Sequence, residues 1–249
     1  QVSRVNLKYP QFIKVFPNFK TLAKAPLAHV LSVWQGMGYN RRALALQKIA
    51  IIVMKEFGGK LPKDPEILNT FPGIGTHTAG SIAAFAFNEP VVFIETNIRR
   101  VFIHFFFPRT KKVSDEKLMP LVAKTIDKNN PREWYFALMD YGAKLAREVK
   151  NPNHKSVSYR RQSKFEGSLR QVRGAVLKVL LKKGAMRADE ILLSLRGATG
   201  DEAISGAPEI AALPSGARND RARVQSALDA LVHEGFIKKN QDGYELNSP

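Results

Sequence analysis

Two places in the sequence bring together residue types that can do chemistry. The first is Phe71-Pro72-Gly73-Ile74-Gly75-Thr76-His77-Thr78-Ala79-Gly80, where two glycines bracket an isoleucine. No Cβ covers the backbone amides of such a turn, so an anion as large as a phosphate can approach them. The second is Glu95, which the apolar run Val91-Val92-Phe93-Ile94 delivers to the start of a segment Thr96-Asn97-Ile98-Arg99-Arg100. A carboxylate at a helix N-terminus is favoured in its ionised form, and there it can face a developing positive charge or position a water. Each place also has a plain structural reading: an ordinary interhelical turn, and an acid that only stabilises its helix.

The elements that must position these residues follow from spacing. Ala79, Ile82, Ala83 and Ala86 predict a helix over 76–87, so the glycine turn opens onto unpaired N–H groups at a helix start. Asp64 and Pro65 mark the start of a short helix before it, completing a helix, hairpin, helix arrangement. Ile98, Val101, Phe102 and Phe105 predict a helix from Asn97 that Pro108 ends, with Phe105-Phe106-Phe107 expected in the core. Lys111 to Lys128 and Pro131 to Val149 read as two more helices, with Asp140 capping or bracing rather than reacting. Upstream, Tyr9 to Pro17 reads as a short amphipathic helix, and Ala28 to Trp34 as a helix stopped by Gly36 and Gly38. Asn40-Arg41-Arg42 then opens a helix with Ala43, Leu46, Ile49, Ala50 and Val53 on its buried face, its arginines solvated or facing phosphate.

Composition narrows the classes. The chain has 249 residues, a net charge of +17 and no cysteine. That length suffices for two domains. Of its 39 Lys+Arg and 22 Asp+Glu, residues 1–165 hold 27 and 11, so nearly all the excess lies there. Such a field favours a polyanion by counterion release, though charge alone does not choose DNA. Without cysteine there is no disulfide and no thiolate-bound zinc or iron–sulfur cluster. No apolar run reaches membrane-spanning length and no signal peptide is evident, so a soluble, cytoplasmic protein is expected.

Residues 151–168 are polar and basic and read as a linker, which either braces the fold or touches a nucleic acid. From Leu169 the pattern changes. Three helices, marked by Leu169 to Val179, Asp189 to Leu195 and Val224 to Leu231, precede a hairpin over Phe236 to Leu246 with Asp242-Gly243 at its turn. That order fits a winged helix, in which Arg218, Arg221 and Arg223 suit a DNA backbone; a protein-binding or purely structural wing is equally open. Gly197 to Gly216 is expected to be a mobile insertion.

Four ordered motifs, Trp34 to Tyr39, Phe71 to Gly80, Ile94 to Val101 and Met139-Asp140-Tyr141-Gly142-Ala143, resemble the helix-hairpin-helix (HhH-GPD) DNA glycosylase superfamily, closest to its adenine DNA glycosylase branch. The resemblance covers residues 1 to about 150. It implies an all-α core of two lobes with DNA between them (1–150), which the linker (151–168) and the winged-helix-like domain (169–249) read from the residues themselves then follow. It implies that the hairpin, Gly73, Ile74, Gly75, Thr76, His77 and Thr78, grips a phosphate, with Arg99 and Tyr39 also at the DNA. For Tyr39 two readings are open, an aromatic entering the base stack or a core residue packed on the turn. Glu95 would be the carboxylate facing the sugar, although the branch has Asp-Gly-Asn where this chain has Glu95-Thr96-Asn97. Asn97 would order the site. Gln1 to Val5 would be the tail of a helix that in the family begins earlier with a catalytic glutamate, upstream of Gln1. Bifunctional relatives carry lysine where this chain has His77, so a monofunctional enzyme is expected. Most relatives also carry four cluster-binding cysteines after the segment matched by Met139 to Ala143, whereas this chain resembles the smaller cluster-free group, with a monovalent cation implied at the hairpin. The implied activity is excision of a mispaired base from duplex DNA by a monomer in base excision repair, adenine opposite 8-oxoguanine or guanine first. Thymine or uracil opposite guanine is the alternative within the enzymes, and non-catalytic DNA binding the alternative outside them.

Overall fold

Amphipathic helical spacing dominates the sequence, and helices dominate the fold. The computed structural model describes residues 2–196 and 220–247. The expected insertion Gly197 to Gly216, and Arg218, lie outside the described residues. The chain divides into two compact units, residues 61–162 and residues 1–60 with 163–249.

In the unit of residues 61–162, α5 (Pro65–Asn69) and α6 (Thr76–Phe87) flank the glycine turn, and α7 (Thr96–Phe106), α8 (Asp115–Thr125) and α9 (Pro131–Glu148) follow. Asp64 caps α5 by accepting from the Glu66 amide at 2.8 Å. The core gathers Ala84, Phe93, Ile94, Ile98, Phe102, Ile103, Leu118, Val122 and Tyr135 around α7. Phe105 and Phe106, expected inside, are 55% and 50% exposed. Phe102 takes the core-facing position on that turn, and Phe106 stacks outside it at 5.5 Å. Asp140 sits exposed in the middle of α9, where it caps nothing. A 3-10 turn, Pro152–Lys155, then packs against α7 with Pro152, Asn153 and Ser156 buried.

In the other unit, the tail and the short helix expected at the start are one helix, α1 (Val2–Val15), with Pro10 inside it. It is followed by α2 (Phe19–Lys24), α3 (Leu27–Trp34) and α4 (Asn40–Glu56). The C-terminal part is α10 (Leu169–Lys183), α11 (Ala188–Arg196), α12 (Asp220–His233) and an antiparallel pair, β1 (Ile237–Asn240) with β2 (Gly243–Leu246), in register Ile237 to Leu246. Three helices and a terminal hairpin are the winged-helix order. Its apolar residues, among them Val176, Leu180, Leu228 and Phe236, join one core with Leu31, Leu44 and Ala50. Arg221 pairs with Asp189 at 2.8 Å, and Arg223 donates to the Gly167 carbonyl, so both arginines of α12 have protein partners.

Candidate active site

The glycine hairpin is built from a rigid base and an open tip. Leu68 and Phe71 are buried beneath it, and the Ile74 amide closes the turn on the Phe71 carbonyl at 3.1 Å. Gly73 has φ +76°, a left-handed conformation that side chains with a Cβ disfavour. Gly75 is the N-cap of α6 and lends no side chain to the first amides of the helix; a Cβ there would meet nothing within 4 Å. Thr76, His77 and Thr78 are all exposed on the first turn, while Ile74 is half-buried. The tip therefore presents uncovered amides at the positive end of a helix, which suits an anion.

Behind it, α6 lies directly on the extended run that leads to Glu95. A Cβ on Gly80 would stand 2.7 Å from that of Phe93. Tyr135, from α9, satisfies the run's backbone: its hydroxyl donates to the Val91 carbonyl at 2.8 Å and accepts from the Phe93 amide at 3.3 Å. Burial raises the Tyr135 pKa to about 12, against the opposing pull of the Phe93 amide. A phenol that stays neutral keeps both bonds.

Glu95 caps α7. Its Oε1 accepts from the amides of Asn97 at 2.5 Å and Ile98 at 2.9 Å, while its Oε2 faces the Asn97 side-chain nitrogen at 3.5 Å. The carboxylate is half-buried, so the bonds that place it leave it reachable. Asn97 is held in turn: its side-chain oxygen accepts from Arg100 Nη1 at 2.6 Å, which fixes the amide nitrogen toward Glu95. Arg100 is buried and also donates to the Gly142 carbonyl at 2.6 Å and, through Nε, to Asn151 at 3.3 Å. Burial lowers the Arg100 pKa, and the Glu95 charge opposes that shift. The sequence reading overlooked Arg100, Tyr135 and Asn151. For Arg100 a signal existed, since an arginine three residues after Asn97 shares its helix face.

Arg99 points elsewhere, its guanidinium gripping Asp115 through two bonds of 2.7 and 2.6 Å. Tyr39 lies in the other unit at the start of α4. It is 64% exposed with φ +50°, and the Arg42 guanidinium lies 5.4 Å from its ring centre. Such exposure is not that of a core residue. Arg41 pairs with Glu234 at 3.8 Å.

A glycine hairpin opening onto one helix, followed by an extended run that ends in an acid capping the next, defines a helix-hairpin-helix protein with an open tip and a placed carboxylate. The sequence profile described as the HhH-GPD superfamily base excision DNA repair protein matches residues 1–126, and the chain belongs to that family. An adenine DNA glycosylase of Mycolicibacterium smegmatis is 28% identical over 263 residues, covering 97% of this chain and 81% of its own. One of Buchnera aphidicola is 36% identical over 147 residues, 57% of this chain and 41% of its own. Among solved structures, a thermostable thymine-DNA glycosylase matches with a TM-score of 0.51 at 21% identity, over 61% of this chain and 72% of that one; this likeness shows the fold.

Proposed function

We propose that this protein is a monofunctional DNA glycosylase that removes adenine mispaired with 8-oxoguanine or guanine from duplex DNA. The observation that carries the reading is the Glu95 carboxylate, oriented by Asn97 in the same unit as the open Gly73–Gly75 tip. The tip takes a backbone phosphate on its uncovered amides, and hairpin carbonyl oxygens would hold a monovalent cation, whose charge would offset that of the phosphate. The target base leaves the stack, which costs least for a mispaired base. As the bond from C1′ to the base breaks, its electron pair leaves with the adenine, which takes up one proton. Positive charge grows on the sugar, where an ionised Glu95 stabilises it. Water adds to C1′ and gives up a proton, leaving an intact abasic site. With His77 in place of an amine nucleophile, no Schiff base forms. Tyr39, exposed at its turn, enters the stack, while Arg99, engaged by Asp115, contributes field more than direct contact. The protein works as a monomer at the nucleoid of a prokaryotic cytoplasm.

The mycobacterial relative, named for adenine and matched along nearly the whole chain, supports adenine over the alternatives. The test incubates the protein with duplexes bearing A:8-oxoG, A:G, T:G and U:G, then cleaves abasic sites with alkali. Adenine duplexes should yield product, no strand break should appear before alkali, and Glu95→Gln should abolish turnover. Product only from T:G or U:G would move the reading to thymine or uracil. Binding with no product from any duplex would make the protein a non-catalytic DNA binder, and undiminished turnover by Glu95→Gln would remove that residue from the mechanism.

A further inference from the structure

After α9 the chain turns back along α7 and grips it at both ends. At the C-terminal end, Lys155 Nζ donates to the carbonyls of Phe107 and Pro108 at 3.2 and 2.7 Å, a cation on the negative end of a helix. Beside it, Val113 exchanges backbone bonds with Lys155 and Val157 at 2.8 and 3.0 Å. At the N-terminal end, Asn153 Nδ2 donates to the Thr96 carbonyl at 2.9 Å. Asn151 Oδ1 accepts from the Asn153 amide at 3.1 Å and from Arg100 Nε at 3.3 Å.

The Thr96 carbonyl and the Asn97 N–H belong to one planar peptide group. Asn153 holds its oxygen end, and Glu95 Oε1 accepts from its nitrogen end at 2.5 Å. A side chain in the strap thus fixes the plane that aims the carboxylate. Asn151 reaches the other carboxylate oxygen by a second route, through Arg100 and the Asn97 side chain. Hydrogen bonds linked in this way polarise one another. Asn153 is only 4% exposed, and its Oδ1 meets no donor among the described residues. A buried acceptor without a donor lowers stability and offsets what the bond to the Thr96 carbonyl contributes, so Asn153 adds little to the fold on balance.

We propose that Asn153 is a positioning residue for Glu95, acting through the Thr96–Asn97 peptide. The proposal rests on the glycosylase reading but is testable apart from it. Two variants of the same strap separate the roles: Asn153→Leu at the carboxylate end, and Lys155→Ala at the far end. Each is measured for single-turnover excision on an A:8-oxoG duplex, affinity for that duplex, melting temperature, and hydrogen exchange at the Asn97 and Ile98 amides. Asn153→Leu should slow excision about 10-fold or more, with affinity within about twofold, and speed exchange at Asn97 without lowering the melting temperature. Lys155→Ala should lower the melting temperature and leave the excision rate within about twofold. Unchanged rate and exchange in Asn153→Leu would overturn the proposal, as would equal rate losses in the two variants. Should the leucine variant fail to fold, Asn153→Asp replaces the donor by an acceptor at constant shape and is judged by the same readouts. If the wild type excises nothing, the functional reading fails, while exchange at Asn97 still decides the role of Asn153.

Discussion

Gly142 and Asn97 touch backbone to backbone. A Cβ built on Gly142 would stand 2.5 Å from the Asn97 carbonyl oxygen and 2.7 Å from its Cβ, so α9 leaves no room for a side chain against α7 at this point. The Gly142 carbonyl also accepts from Arg100, the residue that orients the Asn97 side chain. Gly142→Ala must push the helices apart at that point. We expect a loss of about 1–3 kcal/mol in denaturant titration. Excision should fall by more than the lost folded fraction explains, because Asn97 moves with the contact.

The two hairpin glycines should behave differently. Gly75 has ordinary φ and open space around it, so Gly75→Leu is expected to leave the melting temperature unchanged and to weaken every duplex alike, matched or mispaired. Gly73, at φ +76°, is a conformational requirement, and Gly73→Ala should cost about 1 kcal/mol in stability as well. Binding titrations on matched and mismatched duplexes, with thermal melts of both variants, check the pair.

His77 is exposed on the first turn of α6, where the family resemblance implies the lysine of bifunctional members. His77→Lys is expected to place an amine at the sugar and to form a Schiff base that borohydride reduces to a stable protein–DNA adduct. The wild type should give none, and the gel-shifted covalent band is the readout.

Alkaline stability should report Tyr135. Its neutral form is favoured in the fold up to about pH 12, whereas the unfolded phenol ionises near pH 10. The stability held by the neutral form is therefore intact below pH 10 and lost as pH rises toward 12, by up to about 1.4 kcal/mol per pH unit. Tyr135→Phe should flatten that fall. At neutral pH it should cost about 1 kcal/mol, since the Val91 carbonyl loses its donor. Urea melts at several pH values between 8 and 12 measure both effects.

Much of the site was legible because its determinants are local. The glycines, the alanine spacing of α6 and the acid ahead of Asn97 each act within a turn or two of chain, and the structure places α6 and the Glu95 cap where that spacing puts them. The Asp242-Gly243 signal also falls at the bend between β1 and β2. What escaped was burial decided by distant partners. Asn-Pro-Asn reads as a surface linker from composition, yet Pro152 and Asn153 are buried where the 3-10 turn packs on α7, and Asn153 donates to the Thr96 carbonyl there. Phe105 and Phe106 read as core from their type, but Phe102 and Ile103 occupy the inward positions of that turn. Arg100 stands in the sequence as the second of an arginine pair, and only the fold turns it inward to Gly142 and Asn97.

The grip on α7 consists of carboxamides, one guanidinium and one ammonium, with no sulfur atom in it. Peroxide has no thiol or thioether to oxidise among these contacts. The helix that carries Glu95 is thus fastened by contacts that persist under oxidative stress, the condition in which 8-oxoguanine accumulates and in which the proposed repair is needed.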